Sequence, residues 1–150
     1  MKLSENSRRK IEEFFRAHLE DENFRLPEID FYGGRLTHYL ATYFKIEGLT
    51  VGRRIFILPA NFWFCEKKLR RADEELIVHE IAHVLQYRRE GFWRFLWLYV
   101  RSYRANLRRL KKRDAEAKAQ AYYQIPFEIE ARRTAAEFKR WSRGKKSGIV

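Results

Sequence analysis

Five consecutive residues, His79-Glu80-Ile81-Ala82-His83, carry the strongest chemical signal in the chain. Two histidines four positions apart lie one turn apart on one helix face, so both imidazoles can reach a single ion at about 2.0–2.1 Å. Zinc accepts such ligands, and the carboxylate beside the first histidine then points toward an open coordination position. From there Glu80 can take a proton from a water whose pKa zinc lowers to about 7, and later give it to a leaving amine. Short motifs also arise by chance, and two histidines on a helix can be surface residues. The setting argues against chance. Leu76, Ile77, Val78, Ile81, Ala82, Val84 and Leu85 surround the motif, and an unpaired carboxylate buried among them would be costly. A bound ion removes that cost.

A catalytic zinc has a third protein ligand, and Glu128 and Glu130 are the downstream candidates. Helical phase separates them. Glu128 shares a face with Ala131, Ala135 and Phe138, three small or apolar residues, so that face looks inward. Glu130 groups with Arg133, Thr134 and Glu137, a polar face. The phase favours Glu128, and small Ala131 beside it lets two helices approach closely. For the group that would stabilise an oxyanion, Tyr87, Tyr122, Tyr123 and His38 are all conceivable, and none is singled out, since tyrosines on aromatic-rich helices usually pack.

These side chains need elements to hold them. Asp73 suits the N-cap of a motif helix running from Glu74 to about Arg89, apolar on nearly all sides and therefore central. Before it, Leu49–Val51 and Ile55–Leu58 read as two short strands around Gly52-Arg53, with Pro59 closing the pair. The first helix spans about Ser7 to Glu20, where Ile11, Phe14, Phe15, His18 and Leu19 recur at helical spacing and His18 reads as a packing residue. A second helix covers Leu36 to Phe44 and ends at Gly48. After Gly91 an amphipathic helix runs from Trp93 to about Arg113, with Arg94, Arg101, Arg104, Arg108 and Lys112 on its wet side and Phe92, Phe95, Leu96, Tyr99 and Tyr103 opposite. Asp114 to Tyr123 is helical. Pro126 opens a last helix to about Trp141. The expected fold is α+β and predominantly helical, with a short β-hairpin before the motif helix. It forms one domain over residues 1–143, followed by a flexible basic tail over 144–150.

The chain has 150 residues, which suits a single core. With 45% hydrophobic and 16% aromatic residues it is too apolar for a disordered chain. Leu3 to Leu19 has no apolar signal-peptide core. The longest apolar stretch, Phe92 to Val100, falls short of the roughly 20 residues that a membrane span needs. Cys65 is the one cysteine, which gives no disulfide framework and fits a reducing compartment, so a cytoplasmic location is expected. Cys65 could ligate a metal, but a buried lone cysteine is more often inert. The net charge of +12 is uneven. Arg101, Arg104, Arg108, Arg109, Lys111, Lys112 and Arg113 form one block without an acid, and Lys139, Arg140, Arg143, Lys145 and Lys146 another. Either the blocks keep an aromatic-rich protein soluble, or they make weak, salt-dependent contacts with nucleic acid, an acidic protein or an anionic membrane surface.

The sequence resembles the zincin superfamily, specifically gluzincin-type metallopeptidases. Within that group it is similar to the small bacterial domain of unknown function also called the core domain of extracellular contractile injection systems. The segments Leu49–Ile57, Leu76–Tyr87 and Glu128-Ile129-Glu130-Ala131 carry the likeness, which extends over about Gly34 to Ala136. The resemblance implies a zincin-like core and a zinc ion carried by His79, His83 and Glu128, with Glu80 catalytic. Related gluzincins often have an acidic or amide residue four positions after the ligand glutamate, where it supports a ligand histidine; here Arg132 stands there.

Two readings of function follow. One is a zinc-dependent peptidase hydrolysing peptide bonds in a peptide or protein. The other is a silent scaffold of the same kind, binding an acidic protein, nucleic acid or anionic membrane. Glu80 favours the first, because a structural zinc site is closed and needs no general base. The charge and Arg132 favour the second. The aromatic stretch Phe92–Tyr103 could rest on a membrane surface, although packing over the motif helix is the preferred expectation.

Overall fold

The computed structural model describes residues 3–32, 48–57, 71–111 and 113–147. In chain order the described elements are α1 (Glu5–Leu19), β1 (Asp30–Tyr32), β2 (Gly48–Val51), β3 (Arg54–Ile57), α2 (Arg71–Glu90), α3 (Phe92–Leu110), α4 (Ala115–Tyr123) and α5 (Pro126–Ser147). The fold is α+β and predominantly helical. The expected helix over Leu36–Phe44, together with His38 and Cys65, lies outside the described residues.

Helix α2 is the hub, because its apolar residues point in more than one direction. Ile77, Val78, Ile81 and Val84 join Ile11, Phe14 and Phe15 of α1, Ile55 and Ile57 of β3, and Phe138 of α5 in the main core. One turn further on, Tyr87 belongs to a second cluster with Phe95 of α3, Ile125 and Phe127. Of the motif, Ile81 points into the main core, while His79, Glu80 and His83 belong to neither cluster. Helix α5 packs along α2 more extensively than any other described element does.

The hairpin forms as the alternation of Ile55, Phe56 and Ile57 requires, with β2 and β3 antiparallel and Val51 facing Arg54 across the Gly52-Arg53 turn. Strand β1 was not anticipated. It pairs in parallel with β3, Phe31 opposite Ile55, giving the order β1-β3-β2. Gly48 begins β2. Thr50 faces inward on β2, toward α2.

Several boundaries differ for local reasons. Ser4, not a later residue, caps α1, accepting from the Ser7 N–H at 3.2 Å. Helix α2 begins at Arg71, so Asp73 sits inside its first turn instead of capping it. Gly91 takes φ +80°, which a side chain would resist, and this turns the chain directly from α2 into α3. Helix α3 ends at Leu110, three residues before the expected Arg113, and Lys111 closes it in the left-handed conformation at φ 52°. Asp114 caps α4 through the Ala117 N–H at 2.8 Å. Helix α5 continues past Trp141 to Ser147, and Lys145 within the expected tail pairs with Glu13 at 2.8 Å. His18 is not a core residue: it stacks on Phe14 and meets Glu137 at 2.9 Å near the surface, and Leu19 is exposed.

Helix α3 lays Phe95, Tyr99 and Tyr103 on the second cluster, as amphipathic spacing predicts. Phe92 stacks on Tyr87 at its edge, but the two tryptophans do not pack there. Trp93 is 79% and Trp97 58% exposed.

Candidate functional site

Helical spacing on α2 sets His79 and His83 one turn apart, with their Nε2 atoms 3.2 Å from each other and their rings nearly perpendicular. Glu128 arrives from the first turn of α5, where the partial positive charge of a helix N-terminus favours a carboxylate. Its Oε2 lies 3.3 Å from His79 Nε2 and its Oε1 3.2 Å from His83 Nε2. An ion bound tetrahedrally at about 2.0–2.1 Å would hold its ligand atoms about 3.3–3.4 Å apart. The two imidazole nitrogens are near that spacing, whereas Glu128 offers a different oxygen to each, and one ligand atom from each residue lies within 4.8 Å of the others. Among the described residues, these three side chains form the cluster able to hold a metal ion.

Glu128 is 2% exposed, and its Oε2 has no hydrogen-bond partner. His79 Nε2 lies nearby without hydrogen-bond geometry, and an ion held here would be a fitting partner for this atom. Burial alone would raise the Glu128 carboxyl; the two imidazoles and the Tyr99 hydroxyl outweigh it and hold the group well below the usual carboxylate range. Burial likewise opposes charge on His83, but the hydrogen bond to Glu128 and its charge leave that imidazole raised. Without an ion the pull of Glu128 favours a proton on His83, and a bound cation would have to displace it.

Glu80 is 3% exposed. Thr50 of β2 donates to its Oε2 at 2.5 Å. Burial pushes the Glu80 carboxyl upward, against the pull of His83 and of the Thr50 hydroxyl. A proton acceptor with a raised pKa is better suited to work near neutrality than an ordinary carboxylate. Gly48 makes the arrangement possible: a Cβ there would collide with the Glu80 carboxylate. Strand β2 therefore approaches the motif helix as closely as a backbone without a side chain allows.

The remaining expectations sort clearly. Glu130 is exposed and paired twice with Arg89, at 2.8 and 3.0 Å, so it is turned away from the histidines. Arg132, at the position expected to support a ligand histidine, instead lies over the Tyr123 ring and donates to the Tyr123 carbonyl. Gln86 occupies that supporting role. Its Oε1 is 2.8 Å from His83 Nδ1, and its Nε2 donates to the Phe127 carbonyl at 3.0 Å. An Nδ1–H donated to Gln86 leaves Nε2 of His83 as the nitrogen that would ligate a metal once its proton is displaced. Tyr87 is stacked against Phe92 and Phe95, and Tyr123 is exposed. Tyr122 lines the cleft beside Glu128, together with Tyr99, which no sequence argument had placed there. The Tyr99 hydroxyl donates to Glu128 Oε1 at 2.7 Å.

The cleft measures about 180 Å³ and runs between β2 and α3, floored by Glu80, His83 and Glu128 and walled by Leu49, Val51 and Leu96. The hairpin and the motif helix that form one side of it are also the segments matched by a known family. The profile of the eCIS core domain matches residues 2–91. The chain belongs to the eCIS core domain family. The match takes in His79, Glu80, His83, Gln86 and the whole described sheet, and it begins well before Gly34, where the likeness read from the sequence started. It stops at the α2–α3 corner, so the eCIS core match does not contain Tyr99, Tyr122 or Glu128. No curated protein and no solved structure matches the chain.

Proposed function

We propose that this eCIS core domain chain is a zinc-dependent hydrolase of peptide bonds, with a zincin-like core in which His79, His83 and Glu128 hold the metal and Glu80 is the general base. The observation that carries this reading is the convergence of two imidazole nitrogens and a buried carboxylate at ligand spacing, with a second buried carboxylate, Glu80, on the same cleft floor.

A zinc ion held there supplies Lewis acidity, polarising the scissile carbonyl and acidifying water to a pKa of about 7. The chain's own residues do the rest. Glu80 takes a proton from the attacking water as its oxygen bonds to the carbonyl carbon, and delivers that proton to the amine as the C–N bond breaks. Thr50 fixes the orientation of the Glu80 carboxylate. Gln86 fixes the tautomer of His83, and Tyr99 holds Glu128 in place. The cleft is smaller than the roughly 300–1,000 Å³ of typical small-molecule pockets. It suits one apolar side chain of an extended segment, lying between Leu49, Val51 and Leu96.

Elemental analysis and a peptide-cleavage assay test this together. Wild type should carry about one zinc per chain, and a His79→Ala/His83→Ala variant none. Glu80→Gln should keep the metal and the fold but lose about 10²–10⁴ in cleavage rate. Equal zinc in wild type and the double variant removes the metal centre. Full zinc with no cleavage across a diverse peptide library leaves a zinc-bearing scaffold instead of an enzyme.

A further inference from the structure

We propose that α3 docks the protein on an anionic lipid bilayer through the exposed face running from Trp93 through Trp97 and Val100 to Arg104 and Arg108. This inference is independent of the metal centre.

The face is continuous by helical geometry: steps of four, three, four and four residues keep these positions on one side over about 22 Å of helix. Trp93 is 79%, Trp97 58% and Val100 50% exposed, while Phe95 directly opposite is buried. Soluble surfaces tolerate scattered apolar residues, but a row of two tryptophans and a valine is a patch. Phe92 extends it at the helix start, packed edge-to-face on Trp93, and exposed Val51 lies nearby on the hairpin. The second half of the face is cationic. From Gly91 to Arg113 the sequence contains no acid, and Arg104 and Arg108 are both exposed. Arg101 lies over the Trp97 ring at 4.9 Å, joining the apolar and the charged halves.

Charge complementarity selects an anionic partner, and the apolar half selects lipid among anionic partners. Tryptophan rings sit at the boundary between headgroups and acyl chains, where the indole N–H stays hydrated and the ring does not. Arginines alongside reach lipid phosphates. A nucleic acid would use the rings for base stacking, but Val51 and Val100 give a base nothing to stack on, whereas an acyl boundary accepts them. Because Val51 also lines the cleft, docking this way places the cleft mouth beside the membrane surface.

Co-sedimentation of the full chain with vesicles tests the proposal, comparing phosphatidylglycerol–phosphatidylcholine mixtures with phosphatidylcholine alone. Wild type should bind the anionic vesicles, bind neutral ones far less, and release as salt is raised. Trp93→Ser/Trp97→Ser should weaken binding about tenfold or more. Arg104→Gln/Arg108→Gln should weaken it roughly thirty-fold, since one cation near an anionic surface is worth about fivefold. All four positions are exposed, so circular dichroism should be unchanged. Quenching of wild-type tryptophan fluorescence by brominated lipid reads insertion without any variant. No binding to anionic vesicles, equal binding to neutral ones, or variants that bind like wild type would each overturn the proposal. So would a single-stranded oligonucleotide that displaces the vesicles and depends on the same residues, which would make the face a nucleic-acid site.

Discussion

Replacing Gln86 by leucine tests whether this side chain organises the proposed metal centre or merely fills space. Gln86 is 1% exposed, among the most deeply buried side chains. It ties its own helix, through the His83 ring at 2.8 Å, to the start of α5, through the Phe127 carbonyl at 3.0 Å, one residue before Glu128. Leucine has nearly the same volume, so Gln86→Leu creates no large cavity. It removes two hydrogen bonds, each worth about 0.5–1.5 kcal/mol net, giving about 1–3 kcal/mol of destabilisation. The larger signal should be in the metal. With no acceptor at Nδ1, His83 loses its preference for presenting a lone pair at Nε2, and outer partners of this kind are worth about 10–100-fold in metal affinity. Chelator competition at fixed pH measures that affinity, and thermal unfolding of the chelated protein measures the fold. Gln86→Glu is the informative companion: it keeps an acceptor for His83 but cannot donate to Phe127, so its zinc affinity should exceed that of Gln86→Leu. If Gln86→Leu binds zinc within twofold of wild type while His83→Ala does not bind it, the positioning argument is refuted.

Two further predictions concern neighbouring residues. Glu128→Ala should reduce zinc affinity strongly and Glu130→Ala hardly at all, because the exposed Glu130–Arg89 pair is worth at most about 1 kcal/mol of stability and touches no ligand; a larger loss of zinc at Glu130 in the same chelator competition would contradict the observed helix phase. Gly48→Ala should leave zinc loading intact but lower cleavage, because the added Cβ displaces the Glu80 carboxylate from Thr50; steady-state kinetics beside elemental analysis checks this, and unchanged kcat would mean that Glu80 moves freely without cost.

What could be read from the sequence was whatever repeats along one element. The period of α5 put Glu128 on the inward face with Ala131 and Phe138, and both of those are buried. The same periodicity erred at Thr134, grouped with the polar residues yet buried, because a polar type does not reveal which side of a long helix its neighbours cover. The hairpin was visible in alternation around Gly52, but β1 was not. Three residues after Pro27 are too few to show a period, and their pairing with β3 is a long-range event. The supporting side chains were invisible for the same reason. Thr50 reaches Glu80, and Tyr99 reaches Glu128, across different elements whose register no local pattern encodes. Gln86 alone left a trace: an amide on an otherwise apolar helix, three residues after His83, marks a buried polar group that needs partners.

That division has a physical consequence for how the centre depends on the fold. The residues inside the family match, His79, Glu80, His83 and Gln86, ride on one helix and keep their spacing whenever that helix forms. Glu128 depends instead on the docking of α5 against α2, and Tyr99 on the packing of α3 over the second aromatic cluster. The α2 face therefore sets which atoms are available, while α3 and α5 set whether three of them converge. Convergence has a direct electrostatic cost, since Glu128 and Glu80 are both buried carboxylates on one cleft floor and each disfavours charge on the other. The imidazoles offset part of it, and Thr50 and Tyr99 each satisfy one oxygen. The Oε2 atom of Glu128 is left over, buried and without a hydrogen bond, 3.3 Å from His79 Nε2, while Oε1 takes both His83 and Tyr99. A fold stabilised by its own contacts alone would gain by filling that position with an apolar group. A cation bound at the proposed centre would supply the partner that this oxygen lacks.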